Sequence, residues 1–213
     1  MIVQRGFAVA PNPDFRLLTL SDVDSAAGVI SHAFIDDPLC AFMLPFRKTR
    51  VSAMFKFFRA YGEISIKNKR VYGAGQPLQG VAYWKFPDQA DLSISFKSLG
   101  KFLPLLFTWY PVGLFRARAI LAHIDRMHQK YAHQPHFYLD NIAVLATARG
   151  QGLSSKLIRP ILELADAQKA IVYTDTENPA NVPLYQHFGF QVMEVAKVGR
   201  TGVTVWALRR PVQ

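Results

Sequence analysis

A single cysteine, Cys40, stands in the chain, so no internal disulfide can form. The opening Met1-Ile2-Val3-Gln4-Arg5-Gly6 lacks the apolar stretch and cleavage signal of a secretory leader. Together these absences set the expectation of a reducing, cytoplasmic setting. No hydrophobic run is long enough to span a bilayer. The most apolar stretch, 102–115, is too short and carries Pro104 and Pro111 inside it, so it is expected to be buried or to line a pocket, and no membrane partner is expected. The formal net charge of +10 suits a polyanionic partner. Yet there is no basic arm, no zinc-finger spacing and no alternation of aromatics with cations, so no nucleic-acid partner is expected. A phosphate-rich cofactor needs only a few of these charges.

Half of the residues are hydrophobic, enough to bury one good core. Phe15 to Leu18 reads as a short strand and Thr19 to Asp22 as a helix start, with Ser21 as N-cap before Val23, Ala26, Ala27, Val29 and Ile30. Asp36-Asp37-Pro38 then breaks the pattern. Met54, Phe57, Phe58 and Tyr61 recur at helical spacing and place a second helix over 50–66. Strands follow at 70–73 and 78–86, joined by the turn from Gly73 to Pro77. Residues 90–133 are extra helical material with a break around 110–113. The run 137–145 is apolar on both faces, as a central strand is.

After a glycine-containing turn, Leu153, Leu157, Ile161, Leu164 and Ala165 mark a helix that Pro160 is expected to bend without ending. Ala170 to Tyr173 returns as a strand. A short helix over 179–188 closes on Gly189, and strands at 190–195 and 203–208 complete the sheet. There is no internal repeat.

A strand ending in Arg149-Gly150-Gln151-Gly152 and feeding a helix presents free backbone N–H groups at the positive end of the helix dipole, a site for phosphate. The plain alternative is an ordinary tight turn. A dinucleotide site is a further competitor, with Asp175 near the position of a ribose-binding acid. Against it, Ser155 stands where a third glycine belongs, and too few residues follow Asp175 to complete such a fold. The Walker pattern fails as well, because Lys156 lacks the preceding glycine.

Val144-x4-Arg149-Gly150-x-Gly152-Leu153 followed by a helix resembles the Arg-x-x-Gly-x-Gly/Ala acyl-CoA motif of GNAT acetyltransferases. Asn181-x3-Tyr185-x3-Gly189-Phe190 resembles the same family's C-terminal signature. Within the superfamily the chain is most similar to puromycin N-acetyltransferase-like proteins. The residues that carry this are Gly80-Val81-Ala82-Tyr83-Trp84 before Pro87, Pro160 in the motif helix, and Asn181-Val182-Pro183-Leu184-Tyr185. Two positions depart from the pattern: Ser154 replaces the last Gly/Ala of the loop, and Ala146 stands where many members have proline. The resemblance implies an α/β (α+β) fold with a mixed, mostly antiparallel sheet, splayed central strands and flanking helices. One domain is expected over 1–213, with a helical insertion at 90–133.

The resemblance also implies acetyl-CoA, or another acyl-CoA, as co-substrate, and no metal. Ile142, Ala143 and Val144 are expected to pair with the pantetheine arm as with an added strand. Arg149, Gly150, Gln151, Gly152, Leu153 and Ser154 are expected to hold the pyrophosphate. Tyr185 is expected to be the general acid, unless its ring only packs on the short helix. Asn181, a turn earlier, either contacts the cofactor or caps the helix. For a general base the candidates are Asp140, Asp175 and Glu177, each of which can also be a solvated strand end. The acceptor pocket is assigned to Phe34 through Pro38, Trp84 and the aromatics Phe102, Phe107, Trp109, Tyr110 and Phe115, which can equally be plain core. Asp36 or Asp37 is expected to attract an ammonium group. His123, His128, His133 and His136 read as surface histidines rather than a metal set, and Cys40 as a small buried hydrophobe. The expected reaction is acetylation of a small-molecule amine by a monomer or homodimer. Acetylation of a protein N-terminus or lysine, and CoA binding without turnover, are the alternatives.

Overall fold

The computed structural model describes residues 15–88, 100–108 and 110–213, and the backbone of two short N-terminal strands, β1 (Ile2–Gln4) and β2 (Phe7–Val9). Its centre is a seven-stranded sheet. The strands are β3 (Arg16–Leu17), β4 (Val71–Ala74), β5 (Gly80–Lys85), β6 (Phe137–Val144), β7 (Val172–Thr176), β8 (Gln191–Lys197) and β9 (Thr204–Arg210). They lie in the order β3-β4-β5-β6-β7-β9-β8, and every neighbouring pair is antiparallel except β6 with β7. This is the mixed, mostly antiparallel sheet expected. Strand β6, apolar on both faces, occupies the middle.

One face of the sheet is covered by α1 (Val23–Ala33), α3 (Arg47–Lys67) and α4 (Tyr110–Tyr131), the other by α5 (Leu153–Ala167) and α6 (Val182–His187). Alternation along β7 divides its side chains between these layers: Val172 joins the core under α5, and Tyr173 the core under α4. Helix α5 runs through Pro160 to Ala167, as expected, because Ile161, Leu162 and Ala165 remain buried beyond the proline. Trp84, fully buried, packs in the layer under α5 with Phe86, Phe137 and Leu157. It therefore presents no wall to an acceptor, contrary to expectation.

Several local expectations are corrected by hydrogen bonding. Ser21 caps nothing. A capping box links Thr19 and Asp22 around a single 3₁₀ turn, and α1 starts only at Val23. Asp36-Asp37-Pro38 does not merely break a helix. Asp37 accepts from the amides of Leu39 (3.0 Å) and Cys40 (3.1 Å) and so starts a new one, α2 (Pro38–Met43), with Pro38 in the first position, where no N–H is needed. Strand β7 begins at Val172 rather than Ala170 and continues to Thr176, because Thr174, Asp175 and Thr176 pair with β9. The break expected at 110–113 falls before Tyr110; Pro111 and Gly113 lie in the first turn of α4.

Of the extra material, 89–99 and Trp109 fall outside the described residues; 100–107 form a 3₁₀ segment that leads towards α4. The stretch 102–115 is not simply buried. Leu105, Tyr110 and Gly113 are inside, whereas Leu103, Leu106, Phe107, Val112, Leu114 and Phe115 face solvent.

The connection between α1 and α3 is held by Arg50, whose buried guanidinium donates to the carbonyls of Leu44 (2.7 Å), Pro45 (3.4 Å) and Ile35. Removing these donors strands carbonyl oxygens in a segment that carries Asp37. Arg50→Met is therefore expected to lower stability by about 2–3 kcal/mol, as read by urea denaturation; a loss near zero would show that water replaces the guanidinium.

Candidate active site

The two parallel central strands pair only at Phe137–Val172 and Tyr138–Tyr173. Beyond these they diverge. Strand β6 keeps its bonds to β5 through Gly80–Val144, Val81–Ala143 and Ala82–Ile142, so its other edge is open towards β7 from Leu139 onward. Unpaired backbone N–H and C=O groups on an edge can accept an extended chain as an additional strand. At the mouth of the opening the Thr174 hydroxyl donates to the Leu139 carbonyl at 3.0 Å, bridging the two strands by a side chain where the ladder has stopped. Thr174 was not anticipated. Ile142, Ala143 and Val144 lie along the open edge.

The loop after β6 ends at the N-terminus of α5. Gly150 and Gly152 have φ of +79° and +74°, left-handed values that side chains rarely tolerate. A Cβ at either would meet no atom within 4 Å, so both glycines border open space. The amides of Gly150, Gln151 and Gly152 bond to no backbone carbonyl among the described residues, and the first turn of α5 adds free N–H groups of its own. These amide donors beside open space, with no acidic residue in the first helical turn, fit a pyrophosphate. Among the described residues no cluster of side chains could hold a metal.

Tyr185, on α6, is buried with its ring 5.8 Å from Phe190, and its hydroxyl lies beside Thr174. Burial pushes the phenol well above its ordinary value; the charges of Asp175, Glu177 and Asp37 act in the same direction. It therefore stays protonated. Asn181, just before α6, makes no cap; its side-chain amide donates to Thr176 at 3.1 Å, tying the helix start to the end of β7.

On the opposite face of β7, Asp175 accepts from the Tyr138 hydroxyl at 3.0 Å. Burial pushes its carboxyl up to about 7, Tyr138 opposes this, and the charge of Asp140 adds to it. Glu177, two residues on, is raised well above its ordinary value, first by burial and then by Asp175 and Asp37; its Oε1 is buried without a hydrogen-bond partner. Asp37 is also raised by burial, against the two amides it caps. The Cys40 thiol, pushed up by burial and by the charges of Asp37 and Glu177, stays protonated and is no nucleophile. Asp37, Asp175 and Glu177 thus form one acidic group beside Cys40 and Tyr185. Tyr110 borders it: its buried hydroxyl feels Cys40, and its ring stacks on Phe57 at 4.8 Å. Phe34, just before the loop to Asp37, meets Phe58 edge-on at 6.1 Å.

Two carboxylates expected near the acceptor are committed elsewhere. Asp36 is exposed and paired with Arg47 at 3.1 Å. Asp140 sits at the bulge opposite Tyr83 and Trp84, where it accepts from Tyr61 (2.6 Å) and Asn141 (2.8 Å) with Lys85 Nζ 3.5 Å away. It ties α3 to β6 through the two hydrogen bonds on Oδ2, with Lys85 beside Oδ1. The histidines divide as well. His133 is exposed, whereas His128 and His136 are half-buried, share a 2.7 Å hydrogen bond and pack by Tyr173, which corrects their reading as surface residues.

Comparison with known proteins agrees with this geometry. Residues 108–190 match the model of the acetyltransferase (GNAT) family. The chain is 24% identical over 196 residues to an uncharacterized N-acetyltransferase of Schizosaccharomyces pombe, spanning 79% of this chain and 70% of that protein. Among solved structures, the fold is shared with an arylalkylamine N-acetyltransferase 2 from Aedes aegypti (TM-score 0.61, 15% identity, 93% of this chain and 98% of that one). It is shared also with a histone acetyltransferase HPA2-related acetyltransferase from Corynebacterium glutamicum (TM-score 0.58, 18% identity, 94% and 96%).

The raised carboxyl of Asp175 has a consequence for stability. An acid whose folded pKa lies above its unfolded value favours the fold while protonated, so its contribution is complete below about pH 4 and is lost as pH rises through about 7. Asp175→Asn, which keeps the shape and cannot ionise, is expected to melt higher than the parent at pH 8 and to equal it near pH 4. Melting curves across that range check this; a parallel pH dependence in both proteins would refute it.

Proposed function

We propose that this chain is a GNAT-type acetyltransferase that transfers an acetyl group from acetyl-CoA to the primary amine of a small molecule, a reading supported by the family model over residues 108–190, by the relative and by the shared fold. The observation that carries the reading is the opening between β6 and β7, with free amides at the loop of Gly150 and Gly152 and titratable groups on both faces of β7. Acetyl-CoA supplies an activated thioester. In this reading Arg149 to Ser154 hold its pyrophosphate through backbone donors, and the open edge of Ile142, Ala143 and Val144 aligns the pantetheine arm. Asn181 keeps the start of α6 against β7, and so sets the position of Tyr185.

The acceptor enters from the side of α2 and α4. Asp37, Asp175 and Glu177 are each pushed towards the neutral form by burial, and Glu177 also by the charges of the other two, so a cation among them relieves a cost that the protein alone must bear. This favours an amine arriving as ammonium. Asp175, near 7, is half ionised at neutral pH and can take the proton that frees the nitrogen lone pair. Tyr185, on the other face of β7, holds a proton for the departing sulfur. From the ammonium, nitrogen loses two protons, the first to Asp175 before attack and the second as the tetrahedral intermediate collapses, and sulfur gains one; the products are amide, thiol and one net proton. Phe34 and Tyr110 border the acidic group with aromatic surface, which suits an acceptor with an apolar body, as does the resemblance to puromycin N-acetyltransferase-like proteins.

The deciding experiment is thiol release from acetyl-CoA across a panel of small amines, with peptides as competitors. Turnover with small amines supports the reading. Turnover with peptides alone assigns protein acetylation, and binding without turnover assigns a CoA-binding module.

Three substitutions test the parts. Tyr185→Phe is expected to keep acetyl-CoA affinity and to lower kcat by about 10²- to 10⁴-fold; a kcat within about twofold of the parent leaves Tyr185 as a packing residue. For the parent, kcat/KM should rise with pH through about 7 as Asp175 ionises, and Asp175→Asn should remove that inflection. Gly152→Val places a branched side chain at φ +74° and in the open space beside these amides, so acetyl-CoA should raise the melting temperature of the parent and leave the variant unmoved.

A further inference from the structure

The segment leading into α4 exposes an apolar surface of a kind that folded proteins seldom leave bare. Leu103 is 56% exposed, Leu106 63%, Phe107 89% and Phe115 67%, with Val112 and Leu114 beside them. These residues lie on two consecutive elements, the 3₁₀ segment 100–107 and the first turns of α4. The helix is docked by its other side: Tyr110, Gly113, Ala117 and Ile120 are buried, and Gly113 lies so close to Met43 that a Cβ there would approach its carbonyl at 2.6 Å. The outward set is thus held outward by the packing of the inward one.

The charge of the surroundings narrows the partner. No Asp or Glu occurs between Asp91 and Asp125, whereas Lys101, Arg116 and Arg118 do; Lys101 is paired with Glu63 of α3 at 2.6 Å, which leaves the two arginines as the cations of this surface. Arg116 and Arg118 are both exposed on α4, next to Phe115. Arg118 lies with its guanidinium 4.3 Å from the centre of the Phe115 ring and donates to the Phe115 carbonyl, which holds a cation at the rim of the apolar patch. Bulky apolar side chains projecting beside the exposed Arg116 and Arg118 match the boundary between acyl chains and anionic headgroups. A protein partner would need acidic residues placed opposite each arginine. A bilayer presents negative charge everywhere.

We infer that the surface formed by Leu103, Leu106, Phe107, Val112, Leu114 and Phe115 docks on membranes rich in anionic lipid, with Arg116 and Arg118 meeting the headgroup phosphates. The chain lies on the bilayer and does not cross it, since no described helix is long and apolar enough to span. The expectation of no membrane partner rested on the lack of a span, which adsorption does not require. The docking surface lies on the face of α4 opposite to the buried Tyr110.

The test is co-sedimentation of the full chain with sucrose-loaded vesicles of phosphatidylcholine alone or with about 30% phosphatidylglycerol, at about 0.1 M salt. The expected result is binding at least about tenfold tighter to the anionic vesicles. The double variant Leu106→Asp and Phe107→Asp should lose about 100-fold or more of that binding, and Arg118→Gln about fivefold. Both should retain the parent's melting temperature, because the replaced side chains are exposed. Equal binding to neutral and anionic vesicles, binding unchanged in the double variant, or no binding to either vesicle overturns the proposal. If the parent instead sediments as a dimer that the double variant dissolves, a second copy of the chain covers this surface and the membrane assignment is wrong.

Discussion

The site depends on a ladder that stops. Two parallel strands at the centre of a sheet would ordinarily pair along their whole length, because an unpaired buried amide or carbonyl is costly. Here β6 and β7 pair at two positions and then part. The flanking strands prevent closure: β6 is held by β5 as far as Val144, and β7 by β9 as far as Thr176, so each strand is fixed on its outer side. What opens between them is a gap bordered by the unpaired edge of β6. The glycine loop, the helix N-terminus and the titratable side chains acquire a common purpose only because they border it.

The distribution of charge around the gap follows from which carboxylates have partners. Asp140 and Asp36 were expected near the acceptor, yet each is held by other partners, Tyr61, Asn141 and Lys85 in one case and Arg47 in the other. Asp37, Asp175 and Glu177 have no such cation in contact. Burial therefore outweighs the hydrogen bonds that oppose it, and their ionisation responds to whatever positive charge arrives. Tyr185 faces the gap from the other layer, so a proton acceptor and a proton donor sit on opposite faces of one strand. In an unbroken sheet they would be separated by the sheet itself.

The same physics accounts for where sequence reading and structure part. The helix at Pro38 was hidden because an Asp-Pro pair marks a break and a beginning equally well; which it is depends on whether the carboxylate finds the next two amides. Trp84 looked like a pocket wall because aromatic residues serve cores and pockets alike, and only its position under α5 decided for the core. The apolar segment 102–115 looked buried because hydrophobicity alone carries no direction. Its helical phase, set by the docking of Tyr110, Gly113 and Ala117, sends half of it outward.

By itself the sequence determined those features in which a residue acts on its own backbone or its near neighbours. The glycines of the loop demand left-handed φ, the β-branched and aromatic run of β6 demands burial on two faces, and the apolar spacing of α5 carries it past Pro160. Tertiary structure alone decided which carboxylates are paired and which are left to burial, that Tyr138 and Thr174 belong to the site, and that a stretch read as interior stands in part at the surface. The reason is one of range: dihedral preferences and periodicity act over a few residues, whereas desolvation and hydrogen-bond partnership depend on neighbours brought together from α2, α3, β6, β7 and α6, and no local pattern records who those neighbours will be.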